Sequence, residues 1–330
     1  MEAEQTIPVD DEPGRSSRDC DAAPRENRAV TACPACGDSE GVRVGHGATA
    51  FDSVVGGRSF HQPAYGVRQC VTCDLHFKSH TLRPEDLGEY YAGLECETYE
   101  HGDGFPTDQF LRGKLAELAG GSKVLDFGCS TGRILKTQTG RLRCFGVEVN
   151  ETAAVIAKQR GIEVVPEDQL GTGELCGFAA ILLTDVYEHL PRPLDLLETL
   201  TRLLRPGGWL VLVTGSTDAI RRRDRIAEFW YFRIAGHLHM LNERHLGWLA
   251  ARLGLTLETL HRCSHYGTPL TQRLRQSVQS FAFHHFQSSP HSGVAAVLRA
   301  LPVVNRAERW PSAPALTFTA DHIVTVLAKR

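Results

Sequence analysis

A short segment near the middle of the chain carries an acid and two glycines at spacings suited to binding a nucleoside. The apolar residues Val124 and Leu125 precede Asp126, and Gly128 and Gly132 follow it. Glycines on a strand-to-helix turn let the backbone approach a ligand at positions where a Cβ would obstruct it. The third glycine of a dinucleotide fingerprint is absent, because Ser130 stands between the two glycines. The segment therefore predicts a nucleoside-binding turn of another type.

A second acidic residue, Glu148, is spaced so that it can bind the same nucleoside. Glu148 lies 22 residues after Asp126, at the end of the next apolar run. A carboxylate at the tip of a neighbouring strand can accept hydrogen bonds from both ribose hydroxyls of a nucleoside. Two acids in register with a glycine turn favour cofactor binding over two unrelated surface acids.

Four cysteines are paired at metal-ligand spacing. Cys33 and Cys36 form one Cys-x-x-Cys pair, Cys70 and Cys73 form a second pair, and 33 residues separate the two pairs. Four thiolates at these spacings suit a structural zinc ion with tetrahedral ligation. The other cysteines are scattered at positions 20, 96, 129, 144, 176 and 263, which argues against a disulfide framework. The sequence therefore predicts a small strand-rich module held by zinc.

Composition and charge limit the class of protein. The chain has 330 residues, 36 basic against 39 acidic side chains, and 42% hydrophobic residues. A near-neutral balance gives no footprint of a nucleic-acid or membrane partner. The sequence contains neither a stretch long enough to span a membrane nor a recognisable signal peptide, so we expect a cytoplasmic location.

The acids and cysteines must be positioned by an alternating pattern of strands and helices. Strands are expected at 123–127, 143–149, 162–165, 178–184, 209–214, 255–261 and 322–328, and helices at 132–139, 151–160, 193–205 and 243–253. Alternation of this kind predicts an α/β fold with a parallel sheet covered on both faces. We expect a disordered tail at 1–29, the zinc module at 30–80, a helical connector at 81–120 and the α/β domain at 121–330, with an insertion at about 264–315. In the connector, Tyr90, Tyr91 and Tyr99 are expected either to line a cleft or to pack in the core.

Four motifs in this order resemble those of class I S-adenosylmethionine (SAM) methyltransferases. They are the turn at 126–132, the Gly-Val-Glu at 146–148, the Asp-Val-Tyr-Glu-His at 185–189 and the Arg-Pro-Gly-Gly at 205–208. Trp230, the segment 236–242 and the Asp-His pair at 321–322 resemble a small-molecule branch in which a four-cysteine module also occurs. The resemblance covers about 31–262 and 318–330. It implies a Rossmann-like seven-stranded sheet of order 3-2-1-4-5-7-6 with the last strand antiparallel.

The resemblance also implies the cofactors and the site residues. SAM is expected on the glycine turn and the ends of the first, second and fourth strands, and zinc on the four cysteines. The implied SAM-binding residues are Asp126, Phe127, Gly128, Cys129, Ser130, Gly132, Glu148, Val149, Thr184, Asp185, Val186 and His189. An oxygen or carbon acceptor must lose a proton, and the candidate bases are His237, His189 and His239. Since the sequence shows no second acidic metal cluster near the cleft, metal-dependent transfer is not expected.

The resemblance favours a methyltransferase acting on a small molecule, such as a nucleotide sugar, a glycoside or a secondary metabolite. Two alternatives stay open: an RNA methyltransferase that uses the cysteine module to hold RNA, and a non-catalytic adaptor that binds SAM. The neutral charge and the few basic residues at 31–80 argue against RNA. The acceptor, its reacting atom and the oligomeric state are left undetermined.

Overall fold

The computed structural model describes residues 28–95, 104–173, 175–302, 304–310, 314 and 316–330. The predicted tail at 1–29 lies almost entirely outside these residues, and so does Tyr99. In the described part of the chain, no helix is both long enough and apolar enough to cross a membrane.

The cysteine-bearing segment is built from short antiparallel strands. They are β1 (Arg28–Ala29), β2 (Gly41–Ala48), β3 (Phe51–Val55), β4 (Arg58–Gln62), β5 (Tyr65–Cys70), β6 (His76–Lys78) and β7 (His80–Thr81). A further short strand from the α/β region, His239–Met240, pairs with β6 and completes a four-stranded sheet. The cysteine segment therefore shares a sheet with the α/β region.

Two helices follow and lead into the α/β region. They are α1 (Pro84–Ala92) and α2 (Pro106–Ala116). Proline stands at the first turn of each helix, where its missing N–H has no helical partner to lose. The connector predicted at 81–120 is thus helical on both sides of the undescribed residues 96–103.

The central sheet has seven strands. They are β8 (Lys123–Phe127), β9 (Arg143–Val147), β10 (Glu163–Val164), β11 (Phe178–Thr184), β12 (Leu204–Gly215), β14 (Leu255–Cys263) and β15 (His322–Lys329), with β13 (His239–Met240) in the other sheet. Their spatial order is β10-β9-β8-β11-β12-β15-β14. Strand β15 runs antiparallel to β12 and β14, and the other four pairs are parallel. The sheet is thus mixed, as the resemblance implied, and not wholly parallel as the strand–helix alternation predicted.

The central strands are apolar throughout because both faces of the sheet are covered. Leu125 packs in a core cluster on one face, and its neighbour Val124 packs in a second cluster on the other face. Alternate residues of a strand point to opposite faces, so a strand buried on both sides needs a continuous apolar run. The cysteines belong to the first of these clusters, which places their segment against one face of the sheet.

The remaining helices are α3 (Glu151–Gln159), α4 (Pro193–Leu203), α5 (Glu243–Leu253), α6 (Leu270–Ser288) and α7 (Gly293–Ala300). Helix α5 is capped at its start by Asn242, whose side chain accepts a hydrogen bond from the backbone N–H of His245. It is capped at its end by Gly254, which has a left-handed φ of 66°. Helices α6 and α7 occupy the predicted insertion. The helix predicted at 132–139 is wrong: turns and a single 3₁₀ turn, Leu135–Thr137, occupy it.

Candidate active site

A cavity of about 880 Å³ opens at the edge where β8, β9 and β11 end. Residues at the ends of these strands line it, and so does α1, which contributes Leu87, Tyr90 and Tyr91. This volume lies in the upper part of the range of small-molecule pockets. The cavity therefore has room for a cofactor together with a small acceptor.

The glycine turn is held by Glu148. The Ser130 N–H donates to one carboxylate oxygen of Glu148 at 2.7 Å, and the Asn150 N–H donates to the other at 2.8 Å. Ser130 itself has φ of 48°, a left-handed conformation that favours glycine. The chain thus keeps a glycine-like backbone at this position with a serine side chain.

The two glycines of the turn leave room for different neighbours. A Cβ on Gly128 would lie 2.6 Å from a methyl group of Val186, which lines the cavity. A Cβ on Gly132 would lie 2.1 Å from a methyl group of Ile162 in the core. Gly132 does not line the cavity, and the room that it leaves serves core packing, so its role as a cofactor contact stays a prediction.

Asp126 is a buried carboxyl group at the bottom of the cavity. It is 2% exposed, and its Oδ1 has no hydrogen-bond partner among the described residues. Burial raises the pKa of Asp126 to about 7, opposed by the charge of Arg133 and reinforced by Glu148. An orphaned buried carboxylate beside a cavity fits a cationic partner such as the positively charged methionine part of SAM.

Arg133 is placed by residues that precede the turn. Its guanidinium pairs with the fully buried Asp108, and it lies over the ring of Phe105 at 4.7 Å. Asp108 also accepts a hydrogen bond from the Phe105 N–H at 3.0 Å at the start of α2. Helix α2 thereby fixes the one cation near Asp126 in the lining of this part of the cavity.

The segment after β11 contributes Asp185, Glu188 and His189 to the cavity. Glu188 is fully buried and accepts hydrogen bonds from the hydroxyls of Thr214, at 2.8 Å, and Tyr231. His189 Nδ1 lies 3.1 Å from the Tyr91 hydroxyl oxygen. These contacts make Glu188 an anchor of the segment and leave His189 held against α1.

His237 is the histidine best placed to receive a proton from an acceptor. It lines the cavity, its ring centroid lies 4.1 Å from that of Tyr231, and its Nδ1 has no partner among the described residues. Burial, aided by His189 and Lys78, holds the pKa of His237 well below its usual value. His237 is therefore a neutral imidazole with an available lone pair.

His239 does not line the cavity. It lies in β13 with its Nε2 2.9 Å from the carbonyl oxygen of Leu190, and burial lowers its pKa to about 3. Strand pairing with β6 directs His239 into the protein interior, and its role as a candidate base stays a prediction.

A second group of ionisable residues meets at the cavity near β15. His322 Nε2 lies 3.6 Å from Asp185 Oδ1, and its Nδ1 lies 3.0 Å from Asp321 Oδ1. The ring centroid of His265 lies 4.3 Å from that of His322. Burial alone would lower the pKa of His322, but Asp321 and Asp185 outweigh it and raise that pKa. Burial raises the pKa of Asp185 to about 7.

The four paired cysteines converge. Cys33 and Cys73 have their sulfurs 3.4 Å apart, as have Cys36 and Cys70, and all four sulfurs lie within 4.8 Å of one another. Zn–S bonds of about 2.3 Å in a tetrahedron put sulfurs roughly 3.8 Å apart, so the cluster fits a zinc ion. The pKa of Cys33 is lowered to about 6, mainly by the hydrogen bond from Cys73.

The cysteine cluster is tied to the segment after β11. His245 Nδ1 lies 2.7 Å from the carbonyl oxygen of Cys73, and its Nε2 lies 2.6 Å from the Tyr187 hydroxyl. Tyr187 directly precedes Glu188. The cysteine segment is therefore linked to the cavity through two fully buried side chains.

The structure gathers most of the predicted site residues at one place. Those lining the cavity are Asp126, Phe127, Gly128, Cys129, Ser130, Glu148, Val149, Thr184, Asp185, Val186, His189 and His237. Near the cleft the structure also brings together two groups whose side chains could hold a metal ion: Asp185, His265 and His322, and Glu188, His189 and His237. The expectation of metal-independent methyl transfer stays a prediction.

Several cavity residues have no signal in the sequence. Arg133, Tyr231, His265 and Tyr266 line the cavity. Only their three-dimensional positions reveal them. Tyr231 directly follows Trp230, which the resemblance did mark, but that motif gives no sign that Tyr231 itself lines a cavity.

Comparison with known proteins is consistent with this site. Residues 106–260 match a family model described as a methyltransferase domain. A ubiquinone biosynthesis O-methyltransferase of Bordetella bronchiseptica is 27% identical over 114 residues, covering 31% of this chain and 47% of that protein. A probable tRNA methyltransferase 9B of Mus musculus is 27% identical over 171 residues, covering 50% and 36%. The chain thus spans about half the length, or less, of these curated relatives.

Among solved structures, a SAM-dependent methyltransferase from Geobacter sulfurreducens in complex with S-adenosyl-L-homocysteine superposes with a TM-score of 0.43 and 18% identity. The match covers 68% of this chain and 91% of that one. Most residues that line the cavity lie within the matched range 106–260. Residues 106–260 are therefore similar to a methyltransferase domain.

Proposed function

We propose that this protein transfers a methyl group from SAM to an oxygen or carbon atom of a small molecule, such as a nucleotide sugar, a glycoside or a secondary metabolite. One observation carries the proposal. A single cavity joins Asp126 and Glu148, at the ends of neighbouring strands, to His237 and an aromatic wall of Trp230 and Tyr266.

The charge of the cavity supports a small acceptor over RNA. Arg133 and Arg192 are the basic side chains in its lining, against acidic residues at 126, 148, 167, 185, 188 and 195. Binding of nucleic acid relies on Lys and Arg side chains that neutralise phosphates. The same argument favours an uncharged glycoside or metabolite over a nucleotide sugar.

Each part of the chain has a defined task in this reaction. When bound, SAM supplies an activated methyl group. Glu148 and the glycine turn hold the nucleoside, and Asp126 pairs with the cationic end of the ligand. His237 accepts the proton that the acceptor loses as its new bond to the methyl carbon forms, and S-adenosylhomocysteine leaves. The cavity walls align the acceptor and exclude water.

We also propose that Cys33, Cys36, Cys70 and Cys73 hold a structural zinc ion in a module at about 30–80. The sulfur distances and the burial of the cluster support this assignment. A segment of short strands buries too little apolar surface to hold its shape unaided, and a metal ion supplies the missing cross-link.

Turnover with candidate acceptors tests the proposed reaction. Purified protein is incubated with SAM and panels of glycosides, phenols and nucleotide sugars, and S-adenosylhomocysteine is measured. With an active acceptor, His237→Gln is expected to lower kcat by roughly 100-fold or more while leaving the SAM Kd unchanged. His46→Gln, at an exposed position in β2, is the matched control.

The tRNA methyltransferase relative makes RNA the second candidate acceptor. Bulk tRNA is therefore tested in the same assay over a range of salt concentrations. Methylation of tRNA with steeply salt-dependent binding, and none of the small molecules, would contradict the small-molecule proposal. If the protein does not bind SAM at all, the proposed SAM site is refuted. That result would also exclude a non-catalytic adaptor that binds SAM.

A further inference from the structure

Three residues far apart in the sequence bring metal-ligand atoms together at the cavity. Asp185 follows β11, His265 follows β14, and His322 begins β15. One ligand atom from each residue lies within 4.8 Å of the others, and all three residues line the cavity. Their convergence follows from topology. The start of the antiparallel β15 lies beside the end of β14, with His322 opposite Cys263.

The distance between His322 and Asp185 is too long for a hydrogen bond and close to that between two ligands of one metal ion. His322 Nε2 and Asp185 Oδ1 are 3.6 Å apart, beyond the usual length of an N–H···O hydrogen bond. Metal bonds of about 2.1 Å to nitrogen and oxygen place two ligand atoms roughly 3.0–3.4 Å apart. Asp185 Oδ1 is buried, and no described residue donates a hydrogen bond to it.

A second carboxylate, that of Asp321, contacts the ring nitrogen of His322 that does not face Asp185. Asp321 is 1% exposed, and its Oδ1 lies 3.0 Å from His322 Nδ1 and accepts a hydrogen bond from the backbone N–H of His265 at 3.2 Å. Its Oδ2 accepts the Trp230 indole N–H at 3.1 Å. In metal sites a carboxylate behind a histidine fixes the tautomer that presents the other nitrogen to the ion. Asp321 is placed to do this for His322.

We propose that Asp185, His265 and His322 form a binding site for a first-row divalent metal ion at the acceptor side of the cavity, with Asp321 as the positioning residue of His322. Two imidazoles and one carboxylate suit ions such as Zn²⁺, Co²⁺ or Fe²⁺, whereas Mg²⁺ and Ca²⁺ prefer oxygen ligands alone. Three protein ligands leave positions open toward the cavity.

The site bears on the nature of the acceptor, a consequence that rests on the proposed function. A metal ion lowers the pKa of a hydroxyl that it ligates. His237 and His322 flank the ring of Tyr231, with centroid distances of 4.1 and 5.4 Å. The proton acceptor and the metal site thus share one wall of the cavity. This arrangement assigns an oxygen acceptor, an alcohol or a phenol, in preference to carbon.

The neighbouring group of Glu188, His189 and His237 is less available to an ion. Both carboxylate oxygens of Glu188 already accept hydrogen bonds from hydroxyl groups, and the side chain is fully buried. His189 Nδ1 is engaged by Tyr91 and by the Gly236 carbonyl oxygen at 3.1 Å. The test below separates the two groups.

Titration with Co²⁺ tests the site directly. Full-length protein carrying one equivalent of zinc on its thiolates is titrated with Co²⁺, and the absorption of the bound ion is recorded. We expect one further equivalent to bind, with d–d bands but without a sulfur-to-metal charge-transfer band. His265→Gln and Asp185→Asn should each weaken binding at least 10-fold, and Asp321→Asn about 10- to 100-fold. His46→Gln serves as the exposed control.

Three outcomes would overturn the site: no Co²⁺ bound beyond the thiolates, a charge-transfer band showing sulfur ligation, or binding that survives His265→Gln but is lost in His237→Gln. The number of Co²⁺ ions bound by the wild-type protein tests the site even if a variant fails to fold. The titration needs neither SAM nor an acceptor. Its failure is therefore distinguishable from failure of the proposed function, which calorimetry with SAM measures separately.

Discussion

Replacing Asp126 with asparagine should stabilise the ligand-free protein at neutral and alkaline pH while weakening its binding of SAM. The carboxyl group is 2% exposed, and its Oδ1 has no hydrogen-bond partner among the described residues. Burial raises its pKa from 3.8 to about 7. The folded state therefore holds a proton that the unfolded state has already released between these two pH values.

The magnitude follows from that difference in bound protons. Because the folded state binds the extra proton, the free energy of unfolding falls by about 1.4 kcal/mol per pH unit across this window. Over roughly three units the loss is on the order of 4 kcal/mol, complete just above pH 7. Asparagine carries no charge, so the Asp126→Asn variant lacks this loss. Between pH 5 and pH 8 the stability of the variant relative to wild type should rise by roughly 3 kcal/mol.

Urea unfolding of both proteins from pH 5 to pH 8.5 measures this effect, with zinc held constant. Asp168→Asn, at an exposed position, is the control. Calorimetry with SAM in buffers of different ionisation enthalpy should show proton release near pH 6.5 in wild type and none in Asp126→Asn. The affinity of the variant should fall roughly 10- to 100-fold, as for a lost charged hydrogen bond. A stability difference that is the same at every pH would refute the reasoning.

Three further changes test other parts of the structure. Glu148→Gln should weaken SAM binding roughly 10- to 100-fold, because the two carboxylate oxygens of Glu148 each accept a backbone N–H and hold the glycine turn. The exposed control Glu151→Gln should leave SAM binding unchanged. If Glu148→Gln and wild type bind SAM equally well, Glu148 does not belong to the SAM site. Cys33→Ser should release zinc and lower the melting temperature, while the exposed Cys176→Ser should do neither; full zinc retention in Cys33→Ser would exclude a four-thiolate site. Burial holds the pKa of Lys78 well below its usual value, so the unfolded state binds a proton that the folded state lacks. The free energy of unfolding of the wild type should therefore rise by about 1.4 kcal/mol per pH unit as the pH rises toward 10. Lys78→Met should lack this gain, and parallel urea-unfolding curves of the two proteins against pH would contradict it.

Local patterns predicted the frame of this protein. The apolar runs of β8 and β11 show in the sequence because strands buried on both faces need continuous apolar residues. The acids at their ends and the paired cysteines stand at fixed spacings from those runs. The helix expected after the glycine turn was wrong, because Gly132 makes room for Ile162 and the chain continues as turns.

The cluster of four cysteines was predictable from the sequence, whereas its connection to the cavity was not. Its four cysteines are evident from spacing, and their sulfurs do converge. Its link to the cavity through His245 and Tyr187 is not evident, since these residues lie 58 positions apart and far from the cysteines in the sequence. That link depends on packing of α5 against the cysteine segment.

Local sequence was enough to predict the seven strands of the central sheet, the acids at their ends and the paired cysteines, because those features depend on residues close together in the chain. Tertiary structure alone decided that His265 and His322 meet Asp185. The reason is the antiparallel insertion of β15 between β12 and β14, which brings its first residue to the edge where β11 ends. It also decided that His239 lies in a sheet while His237, two residues away, faces the cavity, because His239 lies in β13, paired with β6, and His237 precedes that strand.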